Sequence, residues 1–201
     1  MKLKSILLAA VLLSPLSLVA ENWKLPAPQR TGGMPLMEAL ANRKSEREFA
    51  PGKKLTDQQL SNMLWAAWGF NRADKRTVPT AMDRQEVSVY LITADGAYLY
   101  DARENELVLV AKGDFRKDAG RQPFVLDAPY NVALVTDTQK MEQPYFQGVS
   151  HGAVSQNIYL WCASEGVPTV VRGSFDRDAL AKDLHLKDGL KVMLVQTVGG
   201  K

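Results

Sequence analysis

Eight consecutive residues, YNVALVTD at 130–137, constrain this 201-residue chain more than any other stretch. The run is close to continuously apolar, so a strand built from it has to be covered on both faces. It belongs at the centre of a sheet in a layered domain, and it requires neighbouring strands and packed helices from the rest of the chain. The stretch 86–102, EVSVYLITADGAYLYDA, reads as two β-rich runs joined across Asp95-Gly96, a hairpin signal. ELVLVA at 106–111 reads as a third strand, and LKVMLVQTVG at 190–199 as a closing one. TVVRGSFD at 169–176 is a short strand or a loop.

Helices are marked as clearly. Thr56 and Gln59 form a capping box, and Leu60, Met63, Leu64, Ala67 and Trp68 follow at helical spacing before Gly69 ends the segment. Pro35 opens a shorter helix that runs to about Arg43. Gln147 to Glu165 is a long helix, apolar nearly all round, and is expected to be buried. Asp176 caps a last helix that runs through Leu184. The expected class is α+β: a mixed, mostly antiparallel sheet flanked by helices. One domain over 34–201 follows an extended Pro- and Gly-rich arm over 21–33.

The first 22 residues, MKLKSILLAAVLLSPLSLVAEN, have a basic start, an apolar run broken by Pro15 and a small residue at Ala20. That is the layout of a secretory signal peptide over 1–20, with a periplasmic or secreted mature protein. The run is shorter than the roughly 18 residues of a spanning helix, so removing the signal leaves no membrane anchor. The chain holds 25 basic and 22 acidic residues; without Lys2 and Lys4 the basic total is 23 and the balance +1. That balance gives no sign of a nucleic-acid partner. Cys162, the single cysteine, lies in the apolar run IYLWCASEG and reads as a buried, inert thiol.

Three polar stretches could carry chemistry, and each has a plain structural alternative. In ANRKSEREF, Arg43 and Arg47 share a face if the helix continues; with Lys44 and Ser45 they could hold a phosphate. Equally, basic residues near a helix C-terminus are favoured by its dipole, and Glu46 and Glu48 partly neutralise them. In KRTVPTAMDRQEVSVYL, a cluster including Asp83 and Gln85 precedes a strand and suits the edge of a flat heteroaromatic ring, or simply forms a polar turn. In SEGVPTVVRGSFD, Gly166, Gly173 and Ser174 permit close backbone approach to a ligand, or punctuate a loop. A fourth stretch, GVSHG at 148–152, matches the G-x-S-x-G elbow of serine hydrolases, with Ser150, Asp176 and His185 in the required order. The elbow needs a strand before its serine, and KMEQPYFQ is not one.

Taken in order, these stretches resemble the FMN-dependent nitroreductase family over nearly all of the mature chain. NRKSEREF is similar to the family's R-[RHK]-S-x-[RK]-x-F element, and RTVPTAMDRQEVSVYLI to its P-[ST]-x-x-[ND]-x-Q element. HGAVSQNIYLWCASEG resembles its core helix, and LVQTVG its terminal strand. Among the branches, the chain looks closest to the SagB-type dehydrogenase-like one. The resemblance implies FMN, with its phosphate and ribityl chain gripped by Arg43, Lys44, Ser45 and Arg47. It places the pyrimidine side of the ring against Asp83 and Gln85, and N5 beside the backbone of Val171, Arg172, Gly173 and Ser174. Asp83 stands where Asn is commoner, and a carboxylate donates no hydrogen bond unless protonated.

The resemblance also implies a homodimer with FMN at its interface. Many members carry a C-terminal extension that gives FMN a basic residue; Lys201 is the candidate here, and Arg172 or Lys201 could stand near N1. The expected activity is oxidoreduction through flavin N5, to or from a nitro, quinone or dehydrogenase-type substrate, with a separate electron donor. No side chain is required as acid, base or nucleophile. A flavin-binding scaffold without turnover is the alternative from another class.

Overall fold

The structure, a computed structural model, describes residues 22–200; the expected signal segment and Lys201 lie outside them. Seven strands form one sheet: β1 (Trp23–Lys24), β2 (Val87–Ile92), β3 (Gly96–Asp101), β4 (Glu106–Lys112), β5 (Tyr130–Asp137), β6 (Thr169–Arg172) and β7 (Leu190–Val198). The helices are α1 (Leu36–Asn42), α2 (Asp57–Trp68), α3 (Phe124–Asp127), α4 (Pro144–Glu165) and α5 (Arg177–Asp183). The strand order is β1-β4-β3-β2-β5-β7-β6. Every pairing among these strands is antiparallel.

β5 sits at the middle of that order, as its apolar run demands. One face packs Val132 and Leu134 against Leu60, Met63 and Leu64 of α2 and Val154 and Ile158 of α4. The other packs Ala133 and Val135 against Leu180 of α5 and the following Leu184. Leu134 is fully buried, and truncating such a side chain to alanine costs about 2–5 kcal/mol.

The local signals act through visible contacts. The Thr56–Gln59 capping box closes the start of α2, and the Gly69 N–H ends it on the Trp65 carbonyl. Asp176 caps α5 by accepting the Ala179 N–H at 3.0 Å. The β2–β3 turn closes one residue earlier than expected: the Thr93 N–H donates to the Gly96 carbonyl at 2.9 Å, leaving Ala94 and Asp95 in the loop. Gly96 is required for a different reason, since a Cβ there would lie 2.7 Å from the Ala111 carbonyl oxygen.

α4 begins three residues earlier than its pattern suggests, with Pro144 in its first turn. It is also not buried all round. Ser150, His151, Val154, Ile158, Tyr159 and Cys162 face inward, while Tyr145, Phe146 and Val149 stand in solvent. Cys162 is fully buried, and burial pushes its thiol up, away from the reactive thiolate. The arm is sewn to the body: Leu25 joins the core, the Pro26 carbonyl accepts from Ser61 at 2.6 Å, and the Met34 N–H donates to Ser164 at 2.7 Å. No helix among the described residues is long and apolar enough to cross a membrane.

Candidate functional site

α1 stops at Asn42 because Arg43 turns extended, with φ −59° and ψ 120°. Arg43 and Arg47 therefore share no helical face. The chain instead runs extended beside the edge strand β6, where the Glu46 N–H donates to the Thr169 carbonyl at 2.9 Å. Phe49 anchors the far end of this segment in a small cluster with Ala128, Val170 and Phe124.

Tyr159, on the inward face of α4, joins the first and third sequence elements. Its hydroxyl accepts the Val171 N–H at 2.9 Å and shares a 2.7 Å hydrogen bond with Ser45. Its ring lies 5.3 Å from the Arg43 guanidinium carbon. The wall so formed borders a cleft of about 450 Å³ lined by Asn42, Lys44, Glu46, Tyr159 and Thr169. Lys44 pairs with Glu46 at 2.7 Å, and both are open to solvent, so the pair contributes little and Lys44 can turn to an incoming anion. Arg47 is exposed and has no ion-pair partner among the described residues.

At the third element the side chains divide. Gly173 and Ser174 are exposed, and a Cβ built on Gly173 would meet nothing within 4 Å. Neither packing nor a left-handed backbone requires glycine there, so the open space suits a ligand's close approach. Arg172 points the opposite way, with only 7% of its surface exposed. It donates to the Ala119 carbonyl at 2.8 Å, to Asn131 at 2.9 Å and to Thr197. Burial draws it down to about 10, still charged near neutrality. Its guanidinium is thus tied into the sheet interior, which corrects the expectation that it stands by flavin N1.

Behind the wall, Ser155 donates to Gln196 at 2.8 Å, Gln196 to Thr169 at 3.1 Å, and Thr169 to the Thr197 carbonyl at 2.8 Å. Each of these groups is buried and bonded, which holds α4, β6 and β7 in one arrangement.

The second element lies elsewhere in the protomer. Asp83 accepts from Lys75 and, at 3.2 Å, from Gln85. The Lys75 hydrogen bond, then that from Gln85, holds its carboxyl below the usual carboxylate range. Gln85 also accepts from Arg76 at 2.9 Å and donates to the Asp74 carbonyl at 2.8 Å. Met82, Asp83 and Gln85 all have positive φ, at 53°, 54° and 47°. For residues other than glycine this is strained backbone, costing about 1–3 kcal/mol each, and such strain gathers at functional sites. Of the residues expected to hold the cofactor, Lys44 alone lines the cleft beside Tyr159; Arg43, Ser45, Arg47, Asp83, Gln85, Val171, Arg172, Gly173 and Ser174 do not.

The profile of the Nitroreductase family matches residues 40–200. This chain belongs to that family. A crystal structure described as a nitroreductase from Ralstonia eutropha is 38% identical, with a TM-score of 0.83 and 90% of each chain covered. A Methanocaldococcus jannaschii protein that carries the name nitroreductase is 26% identical over 183 residues, covering 83% of this chain and 91% of its own. A chain of the Escherichia coli microcin synthetase McbBCD complex, 16% identical, shares the fold at a TM-score of 0.68, with 96% of this chain and 84% of that one covered.

Within this nitroreductase-family fold the serine-hydrolase motif has no elbow. Ser150 lies inside α4, not after a strand, and its buried hydroxyl has no partner among the described residues. Asp176 is occupied as a helix cap. Tyr159 is the residue that sequence reasoning missed. The available signal was a polar-tipped aromatic four positions after Ser155, on the inward stripe of a core helix.

Proposed function

We propose that this protein is an FMN-dependent oxidoreductase, exchanging electrons with a small nitro, quinone or dehydrogenase-type substrate and a separate donor. The observation that carries the reading is the Tyr159 hydroxyl, which ties Ser45 of the first element to Val171 of the third. Arg43, Ser45 and the Val171 backbone thus gather around Tyr159, a polar set that fits the phosphate and ribityl end of a flavin mononucleotide. Arg43, Lys44 and Arg47 would hold the phosphate by charge, and Ser45 would add a hydroxyl. The backbone at Gly173 and Ser174 would lie close to the ring. Bound FMN would supply the two-electron chemistry at its N5, a step that needs no acid or base from the chain.

Two features support a homodimer that completes the site. The second element, with its strained turn, makes no hydrogen bond among the described residues to Tyr159, Ser45 or Val171, where the first and third elements meet. Apolar side chains also stand exposed on α1 (Leu36, Met37, Leu40) and at the start of α4 (Tyr145, Phe146, Val149). Export to the periplasm or medium belongs to the same reading, carried by the basic, apolar and small-residue order of the first 20 residues. Outside the cytoplasm, the donor need not be a pyridine nucleotide.

The test is the visible spectrum of the purified mature protein before and after adding FMN and desalting. Retained flavin bands are expected, together with bleaching by a donor and recovery on adding a nitroaromatic or quinone. A colourless protein that holds no FMN overturns the reading; a bound flavin that never cycles leaves only the scaffold.

A further inference from the structure

We infer that Arg30 and Arg103, with Arg76 stacked on Phe70 behind them, form a second site, which binds the carboxylate or phosphate group of a small aromatic molecule. Phe70 lies between charges: the guanidinium carbons of Arg76 and Arg103 are each 3.8 Å from its ring centre. Arg30 is 5.5 Å from the ring centre of Trp65. A small cleft of about 160 Å³ is lined by Arg30, Trp65, Phe70, Tyr100, Arg103 and Asn105. Arg30 and Trp65 also line a larger cleft of about 420 Å³, with Asn62, Asn157, Trp161 and Glu165. The larger cleft offers indole faces and amide groups, the chemistry that receives a planar ring.

The charge balance points to an anion. A ring face attracts one cation, but a second guanidinium on the same ring adds like-charge repulsion in a partly dry setting. No carboxylate pairs with these arginines among the described residues, although Asp101 acts on Arg76 from nearby. Asp101 accepts the backbone N–H groups of Arg103 and Glu104 at 2.8 and 3.2 Å, and Asp74 and Asp83 pair with Lys75. None of the three arginines forms a salt bridge among the described residues. Arg76 bonds only neutral acceptors, Trp68 O at 3.0 Å and Gln85 at 2.9 Å, and Arg103 donates to Ala73 O at 2.6 Å. Burial first, and the like charge of Arg103 second, draw Arg76 down to about 10. An oxyanion between Arg30 and Arg103 would relieve that repulsion with charge-assisted bonds.

Calorimetric titration of the purified protein with benzoate, phenyl phosphate and uncharged benzamide, with and without FMN, tests the site. Benzoate or phenyl phosphate is expected to bind at least tenfold tighter than benzamide, and the tighter of the two identifies the anionic group. Added NaCl should weaken binding. Arg30→Gln should weaken it about tenfold, the loss of one charge-assisted contact. Arg30 makes no hydrogen bond within the described structure, so this variant should keep its thermal midpoint; Arg103→Gln is the second variant. Equal binding of benzamide, or binding undiminished in Arg30→Gln, overturns the inference. So does displacement of benzoate by FMN, which would assign the arginines to the flavin phosphate. The inference does not depend on flavin binding, so a flavin-free protein that still binds the anion fails only the flavin reading.

Discussion

At the scale of residues, Arg172 shows how one strand can serve two purposes. Neighbouring side chains on β6 point to opposite faces, so Arg172 enters the interior while the Val171 backbone meets Tyr159. Its close fit is visible at Gly120, where a Cβ would lie 1.8 Å from Arg172 Nη1. Arg172→Leu should leave the Ala119 carbonyl buried and unpaired, since Asn131 keeps the Thr197 hydroxyl, lowering stability by about 1–3 kcal/mol. A melting curve should show the loss, and refolded variant should still retain FMN; normal stability with lost flavin would put Arg172 back at the ring. His151 offers a pH test. Its Nδ1 must donate to the Gln147 carbonyl at 2.7 Å, because a carbonyl only accepts. Burial holds the ring's pKa below its ordinary value, so the folded state resists protonation. The unfolded state binds the proton more readily, so this term is fully present above about pH 6.5 and is lost as pH falls toward the folded value. His151→Gln should flatten that part of the stability profile in urea titrations between pH 7.5 and 5.

At the scale of elements, the candidate site depends on the extended segment after α1 staying against β6, and Tyr159 is the joint. Tyr159→Phe removes the acceptor of the Val171 N–H and the partner of Ser45. Stability should drop by about 1–2 kcal/mol, and equilibrium dialysis should show FMN affinity reduced about tenfold, since 1.4 kcal/mol is one decade. Gly173→Val gives the converse, an unchanged melting point with flavin displaced, because its Cβ enters space that no protein atom occupies. Much of this layout was legible in the sequence, since capping pairs, a continuously apolar strand and helical spacing act locally. Thr56 with Gln59, Asp176 and the run 130–137 each did what their chemistry requires. What could not be read depends on distant contacts. The end of α1 is set by pairing with β6 more than 120 residues away, so the four-residue spacing of Arg43 and Arg47 misleads. Gly96 looked like a turn residue, yet what demands it is the approach of Ala111 on β4.

At the scale of the whole molecule, the separation of the motifs becomes an argument about assembly. The first and third elements are joined at Tyr159, while no hydrogen bond ties the strained turn around Asp83 to it among the described residues. Exposed apolar residues lie toward both ends of α4. Leu36, Met37 and Leu40 of α1 stand near its C-terminal end, where Met34 bonds Ser164; Tyr145, Phe146 and Val149 mark its start. A two-fold axis across α4 would place the α1 patch of one protomer on the α4 start of its partner, covering both patches in one self-complementary interface. Gly148 and Gly152 lie along the same helix with open space where a Cβ would be, so a second backbone could approach closely. Val149 is 53% exposed, so Val149→Glu should leave the monomer fold intact while placing a charge inside that interface, where desolvation without a partner costs several kcal/mol. Light scattering after size exclusion should then report a monomer with an unchanged far-ultraviolet spectrum. If the partner completes the cofactor site, the same preparation should come off the column without flavin. A Val149→Glu protein that stays dimeric would exclude this face as the interface, and one that is monomeric yet keeps FMN would show that a single protomer holds it.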